Sequence, residues 1–225
     1  MRLHRKNKGF TLIELMVVIA VMIILLGVII GSTGEQRQKA IVEEKASAIR
    51  DFLVEVGAIA SKTGVDVAVV KDGTGANQKL IAKYIKYKND GSIDSENLGA
   101  EIRNFEGGKR RFIPLADNID SFQFAESDTP GQSGGKYLTY DTSKKSYTNS
   151  LSFSNNISGI YISRTGPSFT ELASKNARKI PYYKIKKGMY TAIIEVCGTG
   201  NINIYTCHNK ARTGNTVDKE FYQTK

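Results

Sequence analysis

From Phe10 to Gly31 the chain runs FTLIELMVVIAVMIILLGVIIG, and every residue in it is apolar, small or hydroxylated except Glu14. These 22 residues make about 33 Å of helix at 1.5 Å per residue, against a bilayer hydrocarbon core of about 30 Å. Arg2, Arg5, Lys6 and Lys8 precede the run and no comparable cluster follows it. That asymmetry predicts a cytoplasmic amino terminus, with everything after about Gly34 outside the inner membrane. An ordinary secretory signal has an apolar core of about 7–15 residues and a small-x-small cleavage site. The run is too long for that, and Gly31-Ser32-Thr33-Gly34 matches the cleavage pattern poorly. A plain one-pass anchor satisfies the hydropathy but leaves Glu14 without a purpose, since an acid inside a spanning helix costs about 2.5–3.5 kcal/mol.

A partner for Glu14 exists if the chain is cut between Gly9 and Phe10. The new α-amine of Phe10 is a cation one helical turn from the carboxylate. Two such helices, offset along their axes, bring the amine of one copy to Glu14 of the next. In a low-dielectric setting that attraction is large, and leaving either charge unpaired is strongly unfavourable. The stretch KGFTLIELMVV resembles the processing site of type IV pilins and type II secretion pseudopilins: a short basic leader ending in Gly, an N-methylated Phe, and Glu at the fifth mature position. Carried over by position, the resemblance makes Gly9 the last leader residue, Phe10 the cleaved and methylated residue, and Glu14 the residue that sets register during assembly.

Beyond Gly34, the residues Ile41, Ala48, Ile49, Phe52, Val56, Ile59 and Ala60 recur at three- and four-residue steps, as one apolar helical face does. Gly64 is a natural stop. The first proline is Pro114, so a single helix of about 50 residues is expected. Gly27, Gly31 and Gly34 are soft spots within it, each weaker than Ala by about 1 kcal/mol. Strands are predicted at 65–70, 79–88, 121–125, 136–141, 150–154, 159–164, 189–196 and 202–206, separated by glycine-rich turns. The expected fold class is α+β. A long N-terminal helix, membrane-spanning in its first half and amphipathic in its second, packs against a C-terminal antiparallel sheet. The divisions are a leader at 1–9, a filament-core or transmembrane helix at 10–34, an amphipathic continuation at 35–63, and an exported β-rich domain at 64–225. AIRDFLVEVGAIASKTG running into VDVAVV, together with SFSNNISGIYI, resembles the H-type pseudopilins and related minor pilins. Major pilins usually carry a proline in the membrane half of the helix, and none stands here.

Catalytic groups are few. The histidines are His4, in the leader, and His208. Cys207-His208 are neighbours that a strand points to opposite faces, which does not make a nucleophile–base couple, and as metal ligands the two are too few. No phosphate-cradling loop occurs; Gly107-Gly108-Lys109 and Gly134-Gly135-Lys136 read as turns. Asp117/Asp120 and Glu43/Glu44 read as solvated surface charge. The composition speaks against an enzyme, and no cofactor or metal is implied.

The net charge of +10 falls to +6 without the four leader cations, compatible with nucleic acid, acidic polysaccharide or an anionic membrane and selecting none. Lys184, Lys186, Lys187, Lys210 and Arg212, with Tyr182, Tyr183 and Tyr205 nearby, form a candidate nucleic-acid surface; a lysine-rich solvated surface is the simpler and preferred reading. HNKARTGN (208–215) resembles the basic carboxy-terminal loop of minor pilins that take up DNA, without their paired arginines.

Cys197 and Cys207 admit two arrangements. As a hairpin looped at Gly198–Asn201, Cys197 faces Ile202 and Cys207 faces Ala192, leaving the pair about 17 Å apart, beyond the Cα separation of about 7 Å that a disulfide spans. Otherwise a disulfide closes the loop and the hairpin does not form. The carboxy-terminal disulfide loop common among pilins favours the bond. The resemblance implies a filament subunit with other pilin or pseudopilin subunits, a prepilin peptidase and an inner-membrane assembly platform as partners. DNA is a further candidate partner, and a one-pass anchored domain with no filament is the remaining alternative.

Overall fold

The computed structural model describes residues 11–102, 112–127, 138–143, 145–149, 151, 153–154, 159–165, 169–171, 180–197, 200–208 and 221–224. A single helix, α1, runs Leu12–Thr63 without a break, as the absence of proline predicts. Gly64 ends it in the left-handed region at φ +67°, donating its N–H to the Ala60 carbonyl at 3.0 Å. That conformation costs any residue with a Cβ and is the usual helix stop. The chain divides into two compact units, Met1–Arg37 and Gln38–Lys225. In the first, every described side chain of α1 from Leu12 to Leu25 is exposed. Among the described residues no helix is long and apolar enough to cross a membrane.

In the second unit α1 buries Val42, Ala46, Ile49, Phe52, Leu53, Val56 and Ala60. This is the expected face turned slightly: Val42, Ala46 and Leu53 lie at its centre, while Ile41, Ala48 and Ile59 lie on its flanks and are only partly covered. Charged neighbours such as Glu43 and Lys45 obscure the centre of the face in a spacing count.

Two five-stranded antiparallel sheets meet this face. The first has the order β3-β2-β1-β7-β8 and contains β1 Val67–Asp72, β2 Lys79–Tyr84, β3 Ile113–Pro114, β7 Ile160–Ile162 and β8 Phe169–Glu171. The second has the order β12-β11-β10-β9-β4, from β4 Ser121–Ser127, β9 Ile180–Lys187, β10 Tyr190–Val196, β11 Ile202–His208 and β12 Tyr222–Thr224. Val67, Val69, Leu80, Ala82, Ile160 and Ile162 from one, and Phe124, Tyr183, Ile185, Ala192, Ile194 and Val196 from the other, join the helix in one core. Alternation along each strand sends the intervening residues outward.

Both outer faces are also covered. Ile93 and Leu98, from the segment after β2, pack on Ala68, Ile85 and Tyr161. The hairpin of β5 Leu138–Asp141 and β6 Ser146–Asn149 brings Leu138 and Tyr147 onto the second sheet, where Leu151, Tyr182, Ile193, Tyr205, Cys207 and Phe221 are buried.

The strand expectations hold for β1, β2, β4, β5, β7, β10 and β11, with shifted ends. β9 was not expected, although it lies between β4 and β10: Pro181 near its start and Lys184, Lys186 and Lys187 near its end break the apolar pattern. β3, β6, β8 and β12 are too short to register as patterns. The expected strand at 150–154 is absent among its described residues, where Ser154 makes only an isolated bridge to Phe124.

Candidate functional site

The residue that made the apolar run unusual sits in the first turn of α1. Glu14 accepts hydrogen bonds from the Thr11 N–H and the Thr11 hydroxyl, both at 2.9 Å, while the Glu14 N–H donates to Thr11 Oγ1 at 3.3 Å. This is a reciprocal capping box. A Thr precedes the first helical residue and a Glu follows three positions later, each satisfying an N–H that the helix leaves open. The pattern Thr11-x-x-Glu14 is present in the sequence, and Thr11 is a residue not expected there to have a role; its hydroxyl reads as one more small side chain in the apolar run.

The cap gives the carboxylate a local resting place in one copy of the chain, and places a negative charge where the helix dipole is positive. Its neighbours Leu12 and Ile13 are 77% and 70% exposed, so the charge stands beside uncovered apolar surface. Gly9 and Phe10, the expected cleavage and methylation residues, lie outside the described residues.

The candidate nucleic-acid residues are divided. Lys184 and Lys186 occupy the outer side of β9; the Lys184 ammonium stands 5.2 Å over the Phe153 ring, and Lys186 is exposed. Lys187 is ion-paired with Asp120 at 3.0 Å. Lys210 and Arg212 lie outside the described residues. Asp120, expected to be simple surface charge, also accepts the Gly188 N–H at 2.7 Å.

The cysteine hairpin forms, with a register one residue away from the expected one. Val196 faces Ile202 and Thr191 faces Cys207, putting the cysteines six positions apart along the strands, about 20 Å. They are not joined to each other. Cys197 instead borders a polar network whose centre is Glu195. That carboxylate accepts Tyr182 Oη at 2.7 Å, Tyr205 Oη at 2.8 Å and Asn203 Nδ2 at 2.8 Å. Burial and the adjacent Glu195 charge push the Cys197 thiol up to about 11, so it stays protonated and unreactive near neutral pH. The network ties β9, β10 and β11 together across the outer face.

A buried carboxylate, Asp66, is 7% exposed at the junction of α1 and β1. It accepts the Tyr87 hydroxyl and the Arg164 N–H at 2.8 Å. Burial alone would raise its pKa; the hydrogen bonds from Tyr87, Arg164 and Tyr161 and the Arg164 charge outweigh that and hold it below the usual carboxylate range. Among the described residues, no group of three or more His, Cys, Asp or Glu side chains is placed to hold a metal ion.

Residues 4–30 match the family model of the prokaryotic N-terminal methylation motif. The motif supports a type IV pilin-like chain. It spans residues 4–9 of the leader, the expected cut, Thr11, Glu14 and most of the apolar run, which includes the residues on which the sequence resemblance rests. No curated protein and no solved structure matches the chain.

Proposed function

We propose that this chain is a non-enzymatic structural subunit, a pseudopilin or minor pilin, of a type IV pilus-like or type II secretion filament. The observation that carries the reading is Glu14, a carboxylate inside a match to the methylation motif, standing among exposed apolar side chains on a helix that continues for 52 residues. The precursor is held in the inner membrane by Phe10–Gly31, with residues 1–9 in the cytoplasm and the β-rich domain exported. A prepilin peptidase cuts after Gly9 and methylates the Phe10 amine. An assembly platform then draws the helix from lipid into a bundle of like helices. Glu14 exchanges its Thr11 donors for the ammonium of a neighbouring copy, a stronger partner in a dry surrounding. The carboxylate is therefore satisfied before and after assembly, and the unfavourable state is an unpaired charge during transfer.

The H-type pseudopilin likeness draws its support from the uninterrupted passage of α1 into β1 through Gly64. A DNA-capturing role draws little comparable support, because Lys187 is committed to Asp120 while Lys184 and Lys186 point to the other side of the sheet.

Intact mass of the membrane-extracted protein tests the reading. The expected mass lacks residues 1–9 and gains one methyl group; a chain still beginning at Met1 in its working state would leave a one-pass anchored domain instead.

A further inference from the structure

Gln38 is the first residue of the second compact unit. The four described residues before it, Gly34 to Arg37, are exposed, and the first buried residue of the helix is Val42, one turn later. The Gln38 side chain meets the turn between β9 and β10. Gly188, at φ +55°, leaves space that a Cβ would fill: a methyl there would lie 2.1 Å from Gln38 Oε1. That oxygen is buried and has no hydrogen-bond partner among the described residues. A buried unpaired acceptor is unfavourable, so the fold keeps the contact for its shape and not for a polar gain.

The turn itself is held by Asp120. One carboxylate oxygen accepts the Gly188 N–H at 2.7 Å and the other accepts the Lys187 ammonium at 3.0 Å. The Asp120 N–H donates to the Lys186 carbonyl at 2.8 Å. One residue thus pins three consecutive positions of the turn to the entry of β4. An exposed lysine–carboxylate pair alone contributes little stability; the backbone bonds on both sides make Asp120 a brace for the turn's geometry.

We propose that this turn is a clamp that sets the point at which α1 becomes conformationally tied to the globular unit, with Asp120 and Gly188 as its positioning residues. Upstream of Gln38 lie Gly34, Gly31 and Gly27, the weakest helix formers of the segment. Loss of helical structure that starts there is stopped at Gln38, because from that residue on unwinding must also pull a side chain out of the Gly188 seat. The proposal concerns residues 38–225 and does not depend on the filament reading.

Hydrogen exchange by mass spectrometry on the full chain in detergent micelles tests it. Protection in the wild type is expected to step up at the amides that bond to Gln38 and the residues after it, near Val42. In Gly188→Ala and Asp120→Ala that step moves toward Ala46, with amides 42–45 exchanging about tenfold faster and β10–β11 unchanged, as a local opening requires. Gln38→Ala also moves the step but removes the unpaired oxygen, so its melting temperature does not fall. Phe52→Ala lowers protection throughout the unit without moving the step. A wild-type profile with no step at Gln38, or a step that Gly188→Ala and Gln38→Ala both leave in place, overturns the proposal. Neither result bears on cleavage after Gly9 or on Glu14.

Discussion

The two parts of α1 share one backbone and treat apolar side chains in opposite ways. From Leu12 to Leu25 the helix exposes every described residue, Leu12 at 77%. From Val42 to Ala60 it buries Ile49, Phe52 and Val56 completely. Helix formation is cooperative, so once a helix is nucleated a run without proline propagates it one hydrogen bond per residue. Burial is a separate transaction with a partner. The second part has its partner in the same chain, two sheets with apolar inner faces. Among the described residues the first part has none there, and its exposed surface is unsuited to water. One helix thus carries a stretch that the sheets cover and a stretch whose described side chains stand open.

That contrast predicts that substitutions in the two parts fail in different assays. Glu14→Ala removes the charge proposed to set register, so on that reading incorporation into filaments should fall at least about tenfold, a loss of about 1.4 kcal/mol or more per contact. Cleavage and thermal stability of the β-rich domain should stay unchanged, as immunoblots of sheared filaments and membranes against a melting curve would reveal. Normal incorporation of this variant would break the comparison at its most sensitive point.

Phe52→Ala should do the reverse, costing about 3–5 kcal/mol of domain stability through the cavity it opens while leaving the amino-terminal mass unaltered. Denaturant unfolding followed by the tyrosine signal measures it. A Phe52→Ala chain as stable as wild type would mean that the second part of the helix is not completed by the sheets.

Smaller effects sharpen the contrast within the domain. Glu195→Ala removes the acceptor shared by Tyr182, Tyr205 and Asn203, at about 1–3 kcal/mol, and should lower the Cys197 pKa, read as faster thiol alkylation near pH 8. Asp66 supplies a pH signature. Its folded pKa lies below its unfolded value of about 3.9, so its contribution is complete above that value and is lost as pH falls through the lower, folded one. Acid unfolding of Asp66→Asn should accordingly be less steep than wild type below about pH 4. Thr11→Ala, the mildest, removes one side of the capping box for about 0.5–2 kcal/mol of helix-start stability. It should fray the first turn without touching the domain, visible as faster exchange at the amides of residues 12–14.

The sequence by itself determined what depends on near neighbours: the unbroken helix, its stop at Gly64, the lone acid in an apolar run, and the strands whose alternation is clean. Those signals are legible because turns of helix and single strands are set by residues within a few positions of each other. It did not reveal β9, whose proline and lysines are tolerable only because β4 and β10 flank it and Tyr183 and Ile185 face the core. Nor could it choose between disulfide and hairpin for Cys197 and Cys207, since the choice turns on whether β10 and β11 pair at all, and that depends on β9 and β12 flanking them. The jobs of Asp120, Asp66 and Glu195 were likewise out of reach: as letters they are surface acids, and only partners many residues distant make them braces. Those outcomes belong to the tertiary structure, because a buried carboxylate or a half-polar strand is stable only where other segments bring donors and apolar cover to it.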